Sequence, residues 1–269
     1  VATLMIWRDG AADGPINMAA DEVLADEARR RGEPLVRLYR WESPTVSLGA
    51  FQAIAEARVL SAHAGAALVR RPSGGGAIVH GTDLTYALAI PAGHPWSRSA
   101  EPLYRAVHEP LAAELVSRGL AARVHERDSD EVSERVAPFF CFSRRSPGDL
   151  VVDPPATEGH EPGIGLTDAK VLGGAQRRLA GVVLQHGSLL VRANEAVPEA
   201  WRHAGLLELG AAAADDGLDV AMAWMARVGA SLGGELAWQD GPFVTHRRWR
   251  GAIDEQSRRY REPRWLERR

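Results

Sequence analysis

The apolar positions fall into short, dense runs divided by polar and glycine-rich breaks, and those runs set the predicted elements. TLMIW (3–7) reads as a strand. NMAADEVLADEARRRG (17–32) reads as a helix, with Asn17 as its N-cap, arginines in its last turn and Gly32 to end it. LVRLYRW (35–41) and TVSLGAF (45–51) are strand-like, split by Ser43-Pro44. AIAEARVLSAHAG (53–65) predicts a helix stopping at Gly65. Residues 66–90 read as strand, glycine turn, strand, polar turn, strand. The longest helical pattern spans 99–120, with Pro110 placed to kink it. DLVVD (149–153) and GVVLQHGSLLV (181–191) read as strands, and the Pro/Gly-rich stretch 154–168 between them reads as a loop or insertion. After Pro198 the pattern turns helical over 199–209 and 217–234, then ends in an arginine-rich tail.

This order mixes strands and helices without a regular βαβ rhythm or an internal repeat. It predicts an α+β fold with a mixed, largely antiparallel sheet flanked by helices. Two regions are expected: residues 1–197, which hold the chemistry, and 198–269, a C-terminal helical extension packed on the same domain.

Length and charge narrow the classes. A chain of 269 residues with 45% hydrophobic content can bury a full core. A net charge of −3 argues against a general nucleic-acid binder. No apolar run approaches the roughly 18–20 residues that span a bilayer, and the opening VATLMIWRDG lacks the basic start of a signal peptide. Neither nucleic acid nor membrane is expected as a partner. Cys141 is the one cysteine, so no internal disulfide forms, which fits a reducing cytoplasm.

Cation usage changes the picture more. Of 32 lysine and arginine residues, Lys170 is the single lysine. A GC-rich coding bias accounts for arginine wherever either cation serves. A position that keeps lysine against that bias points to a need for a compact ammonium, a removable proton or a slim tip. Lys170 precedes Gly173-Gly174, which reads as a turn. The run RRPSGGGAIVH (70–80) carries Arg70, Arg71 and Ser73 ahead of Gly74, Gly75 and Gly76. Three glycines after a strand let the backbone approach another group closely, and either arginine could grip a phosphate or carboxylate. The spacing fits neither the Walker loop nor the dinucleotide fingerprint. A plain glycine hairpin with solvated arginines fits the same residues. Cys141 admits two readings: a small buried hydrophobe, or a thiolate nucleophile supported by Arg144, Arg145 or Lys170. His80 and His186 lie in strands without partners at metal-ligand spacing, so no metal site is predicted. The tail 246–269, with nine arginines and four acids, reads as a solvated helical face or, more sharply, as a docking site for an acidic partner.

Taken together, NMAADEVL, LYRWESPTVSLGAFQ, RRPSGGGAIVHGTDLTYAL and KVLGGAQRRLAGVVLQHGSLLV resemble, in order, the motifs of the biotin/lipoate protein ligase and octanoyltransferase family. The resemblance covers most of residues 1–191, and Lys170 falls on that family's catalytic lysine. Cys141, in Cys-Phe just before DLVVD, looks like the nucleophile of the cysteine-dependent octanoyltransferases. Two stretches depart from the pattern: the 154–168 insertion before the lysine, and SRRSPGD in place of a Ser-Pro-Ser-Trp-Tyr-Glu style segment.

The resemblance implies a catalytic domain over 1–197 similar to class II synthetase and biotin ligase domains. It implies Cys141 and Lys170 as catalytic residues. It implies an acyl site drawn from Arg70, Arg71, Ser73, Gly74, Gly75, Gly76, His80, Gly173, Gly174, Gln176 and His186, with walls from the AIVH (77–80) and VVLQHGSLL (182–190) strands. The expected reaction moves an octanoyl or lipoyl group from acyl carrier protein, through a cysteine thioester, to a lysine of a lipoyl carrier. That carrier is the glycine cleavage H protein or an E2 domain of a 2-oxoacid dehydrogenase. This route needs no cofactor. The alternative is a lipoate–protein ligase that uses ATP and Mg2+ and passes through lipoyl-AMP.

Overall fold

An eight-stranded sheet divides the protein into two apolar layers. The computed structural model describes residues 3–126, 139–153, 168–199, 202–214, 217–231, 234–239 and 241–268. The first strand, β1 (Thr3–Ala12), runs past the predicted 3–7, and α1 (Gly14–Arg31) starts three residues before the predicted cap. Asp13 is the N-cap, its Oδ1 accepting from Ile16 N at 2.8 Å, with Pro15 in the first turn. Asn17 is instead inside the helix. Its amide donates to the carbonyls of Ala12 and Arg40, both at 3.0 Å, and so ties α1 to two strands. Gly32 ends the helix at φ 72°, as expected of a left-handed cap.

The chain continues through β2 (Leu35–Trp41), β3 (Thr45–Leu48), α2 (Ile54–Ala64), β4 (Ala67–Arg70), β5 (Ile78–His80) and β6 (Asp83–Pro91). Next come α3 (Ala100–Ser117), β7 (Ala121–Val124), β8 (Leu150–Asp153), β9 (Ala169–Leu179) and β10 (Val182–Leu190). Pro110 lies within α3. The main sheet has the order β11-β1-β2-β6-β10-β9-β8-β7, where β11 is Glu235–Trp238. The β11-β1 and β1-β2 pairs are parallel and the rest antiparallel. Strands β4-β3-β5 form a separate small sheet. The two stretches around the triple glycine therefore do not pair as a hairpin: both flank β3, parallel on one side and antiparallel on the other.

Strand alternation explains the layers. In β6, Leu84, Tyr86, Leu88 and Ile90 face α3 and α4 (Leu218–Ser231), beside Val107, Leu111 and Trp224. Ala87 and Ala89 face the other way, against Ala20, Leu24 and Ala28 of α1. Small residues on both surfaces let that helix lie close to the strands it serves.

The segment read as helical over 199–209 forms turns in its described part. Beyond it come α4, β11, α5 (Arg250–Arg261) and α6 (Pro263–Glu267), so the region after 198 adds an edge strand as well as helices. Tail arginines are used internally: Arg259 pairs with Glu22, Arg261 with Asp13 at 2.7 Å and Arg248 with Glu27 at 3.2 Å. The Arg259 and Arg261 pairs hold α5 against the N-terminal half of α1 and its cap. The 154–168 insertion lies outside the described residues except for Asp168, which has φ 66°. No helix among the described residues is long and apolar enough to cross a membrane.

Candidate active site

Three backbone approaches bring the cysteine and the lysine together. Cys141 follows a segment that runs alongside Ala77: Ala77 N donates to Phe139 O at 2.8 Å, and Cys141 N donates to Ala77 O at 2.9 Å. Gly76 permits this, since a Cβ there would stand 2.6 Å from Cys141 N. Gly75 turns the chain at φ 91°. Gly173 supplies the third approach. Its absent side chain leaves the space in which a Cβ would lie 2.9 Å from Cys141 Sγ and 2.8 Å from Lys170 Cε. The expected Gly173-Gly174 turn is continuous strand: both residues sit in β9, opposite Ser188 and Gly187 of β10. Their glycine character answers to neighbouring side chains rather than to a bend.

Lys170 is buried, with Nζ 3.6 Å from Cys141 Sγ and 2.7 Å from Asp149 Oδ2. The ammonium also donates to the carbonyls of Cys141 at 2.8 Å and Arg144 at 3.0 Å, so it clasps the Cys141 loop. Burial works to lower the lysine pKa, but the charges of Cys141 and Asp149 outweigh it and the net shift is upward. Asp149 is itself pushed up by burial, against the pull of Lys170. Nearby His108 donates from Nδ1 to Gly148 O and, in its neutral ring, accepts from Tyr86 OH at Nε2; burial lowers its pKa to about 4, so it is neutral at pH 7.

Cys141 forms part of the wall of an open cleft, about 370 Å³ with the solvent at its mouth counted. Met18, Tyr39, Trp41 and Ile78 supply apolar surface, and Arg71, His80 and His186 supply polar edges. Arg71 is buried and donates to Ser47 O and Oγ, both at 2.7 Å, and to the carbonyls of Gly74 at 3.1 Å and Gly76 at 2.8 Å. Burial lowers its guanidinium to about 10, opposed by the charge of Cys141, so it remains a cation at neutral pH. Two buried Ser–His–Asp chains brace the cleft. Ser73 Oγ meets His186 Nε2, whose Nδ1 lies 3.2 Å from Asp21 Oδ2. Ser47 Oγ lies 2.7 Å from His80 Nε2, whose Nδ1 is 2.7 Å from Asp83 Oδ2. His80 also stacks on Trp41 with centroids 3.8 Å apart.

The structure thus gathers Cys141, Lys170 and Gly173 at one point, with Arg71, Gly75, His80, Gly174 and His186 lining the same cleft and Ser73 bonded to His186. Gly74 and Gly76 serve through their carbonyls and close packing. Two expected acyl-site residues face elsewhere. Arg70 donates to the carbonyls of Gly49, Gln52 and Leu266, joining the end of β3 to the C-terminal tail. Gln176 donates to Ala100 O at 2.9 Å and Gln185 Oε1 at 2.7 Å. Of the three cations considered beside Cys141, Arg145 directs its Nε to Asp168 O at 2.8 Å. Asp149, Asp21, Ser47 and Trp41 were not singled out from the sequence. Asp149 carried a signal, as an acid directly before the apolar run Leu150-Val151-Val152.

The chain matches the family description "Lipoyl protein ligase A/B catalytic domain" over residues 13–204. It is 34% identical over 199 residues to the octanoyltransferase LipM of Kyrpidia tusciae, covering 70% of this chain and 67% of that one. It is also 34% identical over 202 residues to the octanoyltransferase LipM of Geobacillus kaustophilus, covering 71% and 67%. Among solved structures, a bi-partite lipoate protein ligase from Thermoplasma acidophilum, studied with its E2 lipoyl domain, shares the fold. Its TM-score is 0.69 at 18% identity, with 99% of this chain and 96% of that one covered.

Proposed function

The chain belongs to the lipoyl protein ligase A/B catalytic-domain family, and from that premise we propose that Cys141 carries an octanoyl group as a thioester on its way to a lysine of a lipoyl carrier domain. The protein is an octanoyltransferase of lipoate biosynthesis, and lipoyl carrier domains are its acceptors. The donor in this reading is octanoyl-acyl carrier protein, and the acceptor is the glycine cleavage H protein or an E2 lipoyl domain.

One observation carries the reading: the single cysteine lines an open, largely apolar cleft, and its sulfur lies 3.6 Å from the ammonium of the single lysine. The Cys141 thiolate attacks the thioester carbonyl. The new C–Sγ bond forms, the donor's C–S bond breaks, and the donor thiol leaves with the proton that Cys141 gave up. Lys170 holds the Cys141 loop through two carbonyls and places its charge beside the sulfur, where the oxyanion develops. Arg71 adds a second buried cation in the cleft. The acyl chain lies between Trp41, Tyr39, Met18 and Ile78. The acceptor amine then forms the amide bond, C–Sγ breaks, and the amine's surplus proton returns to the sulfur. This step runs downhill, because an amide is more stable than a thioester.

Because the acyl group enters already activated, the route uses no nucleotide. The test is acceptor modification under two conditions. Octanoyl-acyl carrier protein alone is expected to modify the carrier lysine, and ATP with Mg2+ and free octanoate is not. The reverse pattern would replace the transferase with a ligase working through an acyl-adenylate.

A further inference from the structure

A second open pocket, about 360 Å³ with the solvent at its mouth counted, adjoins the Cys141 loop. Its walls include Ile78, Val79, Phe140, Phe142, Val197 and His203. Ile78 also borders the acyl cleft, and Phe142 packs against Cys141 in a small apolar cluster. The Phe142 ring separates two polar groups: Lys170 Nζ is 5.7 Å from its centroid, and the His203 ring is 6.1 Å away. Cys141 lines the first cleft, its neighbours Phe140 and Phe142 line the second, and Ile78 is common to both.

The lining of the second cavity carries no formal charge. Its Asn194 donates to Val79 O and accepts from Ala196 N, both at 3.0 Å. His203 is held below its ordinary pKa by burial first, then by the charges of Lys170 and Arg145, so its ring is neutral at pH 7. Its Nε2 is buried without a hydrogen-bond partner among the described residues. A buried polar atom left unpaired costs free energy until a ligand satisfies it.

We propose that this cavity receives the amide-bearing thiol arm of the acyl donor, and that His203 Nε2 hydrogen-bonds an amide of that arm. The inference rests on the transferase reading. In a thioester exchange the acyl chain and the departing sulfur leave the reacting carbon in different directions. With the chain in the first cleft, the arm needs a path to the same sulfur from another side, and the second cavity is walled by Phe140 and Phe142, the residues on either side of Cys141. Its chemistry fits as well. A neutral, mostly apolar lining with one unpaired nitrogen suits a chain of methylenes and amides, whose N–H or C=O serves either tautomer of His203. It does not suit a phosphate or a carboxylate, for which the lining offers no cation.

The experiment measures acylation of Cys141 by intact mass in the full chain, using two thioesters: octanoyl-pantetheine, which has the amides, and octanoyl-S-ethane, which has none. His203→Leu is expected to lower the acylation rate with octanoyl-pantetheine by about tenfold, the worth of one hydrogen bond to substrate. It should change the rate with octanoyl-S-ethane less than about twofold. His203→Gln, which keeps an amide able to donate or accept, should recover most of the loss. Val197→Phe, which narrows the cavity, should repeat the donor-selective loss. Equal effects on both donors, or none on either, would overturn the arm site and leave the thioester mechanism standing. Competition by ATP that is abolished by Val197→Phe would assign the cavity to a nucleotide instead. Failure of the parent protein to be acylated by either thioester would overturn the transferase reading and this inference with it.

Discussion

The sulfur of Cys141 lies 3.6 Å from the ammonium of Lys170, in a gap that exists because residue 173 has no side chain. The sole lysine of a chain rich in arginine is thus packed where only a slim, compact cation fits. Its charge sits beside the sulfur, and its protons fasten the Cys141 loop through two carbonyls and the strand β8 side through Asp149.

Lys170→Arg keeps the charge and removes the fit. The planar guanidinium is broader than the ammonium and would crowd both the Asp149 carboxylate and the space left by Gly173. Transfer is expected to fall by at least about 100-fold, comparable to losing one oxyanion donor at roughly 3 kcal/mol. Steady-state transfer by a purified, folded variant checks this. A rate within about threefold of the parent would show that any cation serves.

Gly173→Ala tests the same gap from the other side. The new methyl would stand 2.9 Å from Cys141 Sγ and 2.8 Å from Lys170 Cε, closer than ordinary contacts. The pair must move apart, costing roughly 1–3 kcal/mol of stability by overpacking. Cys141 acylation is expected to slow more than substrate binding weakens. Gly10→Ala, at a glycine with open space around it, is the control and should leave the rate unchanged.

Much of this site was legible in the sequence because its chemistry is written in residue choice. One lysine and one cysteine stand out in any count, and their side chains meet 3.6 Å apart. The triple glycine likewise marked a close backbone approach, although its partner, the Cys141 segment, is remote in sequence. What failed to show depends on long-range pairing. Strand β7 is four residues long and follows α3 directly, so no apolar alternation announces it. Gly173-Gly174 resembles a turn locally, and only the β10 ladder makes it a strand. Arg70 and Arg71 are adjacent and chemically identical, yet strand alternation sends one toward tail carbonyls and the other into the cleft. Asn17 looks like a cap, but Asp13 precedes it and takes the role.

Asp149→Asn removes the carboxylate that faces a buried ammonium. With both side chains nearly inaccessible, at 4% and 7% exposure, little water can replace it. Breaking such a pair from one side is expected to destabilise the fold by about 3–5 kcal/mol. Urea unfolding at neutral pH reads the change. A loss below about 1 kcal/mol would show that Lys170 is supported by its carbonyl partners alone.

Acid stability reports on the second bracing chain. Burial would raise the Asp83 carboxyl, but His80, Ser188 and the Gly81 amide together hold it down at about 2. A depressed carboxylate stabilises the fold above its unfolded pKa, near 3.8, and that contribution is lost as pH falls through the folded value. The parent is therefore expected to lose roughly 2 kcal/mol between about pH 4 and pH 2 from this group. Asp83→Asn should be less stable than the parent at pH 7 and show a flatter decline over that window. Parallel stability curves for the two proteins would remove Asp83 from the acid response.

The most direct measurement is the mass of the protein after mixing with octanoyl-acyl carrier protein, without acceptor and without nucleotide. The expected result is one added octanoyl group on Cys141, released by neutral hydroxylamine as a thioester is, and absent in Cys141→Ser because a hydroxyl near pH 7 is a far weaker nucleophile. On adding a lipoyl carrier domain, the group should move to its lysine. A Cys141→Ser protein that modifies the acceptor as fast as the parent, with no acyl-enzyme detected in either, would contradict the account.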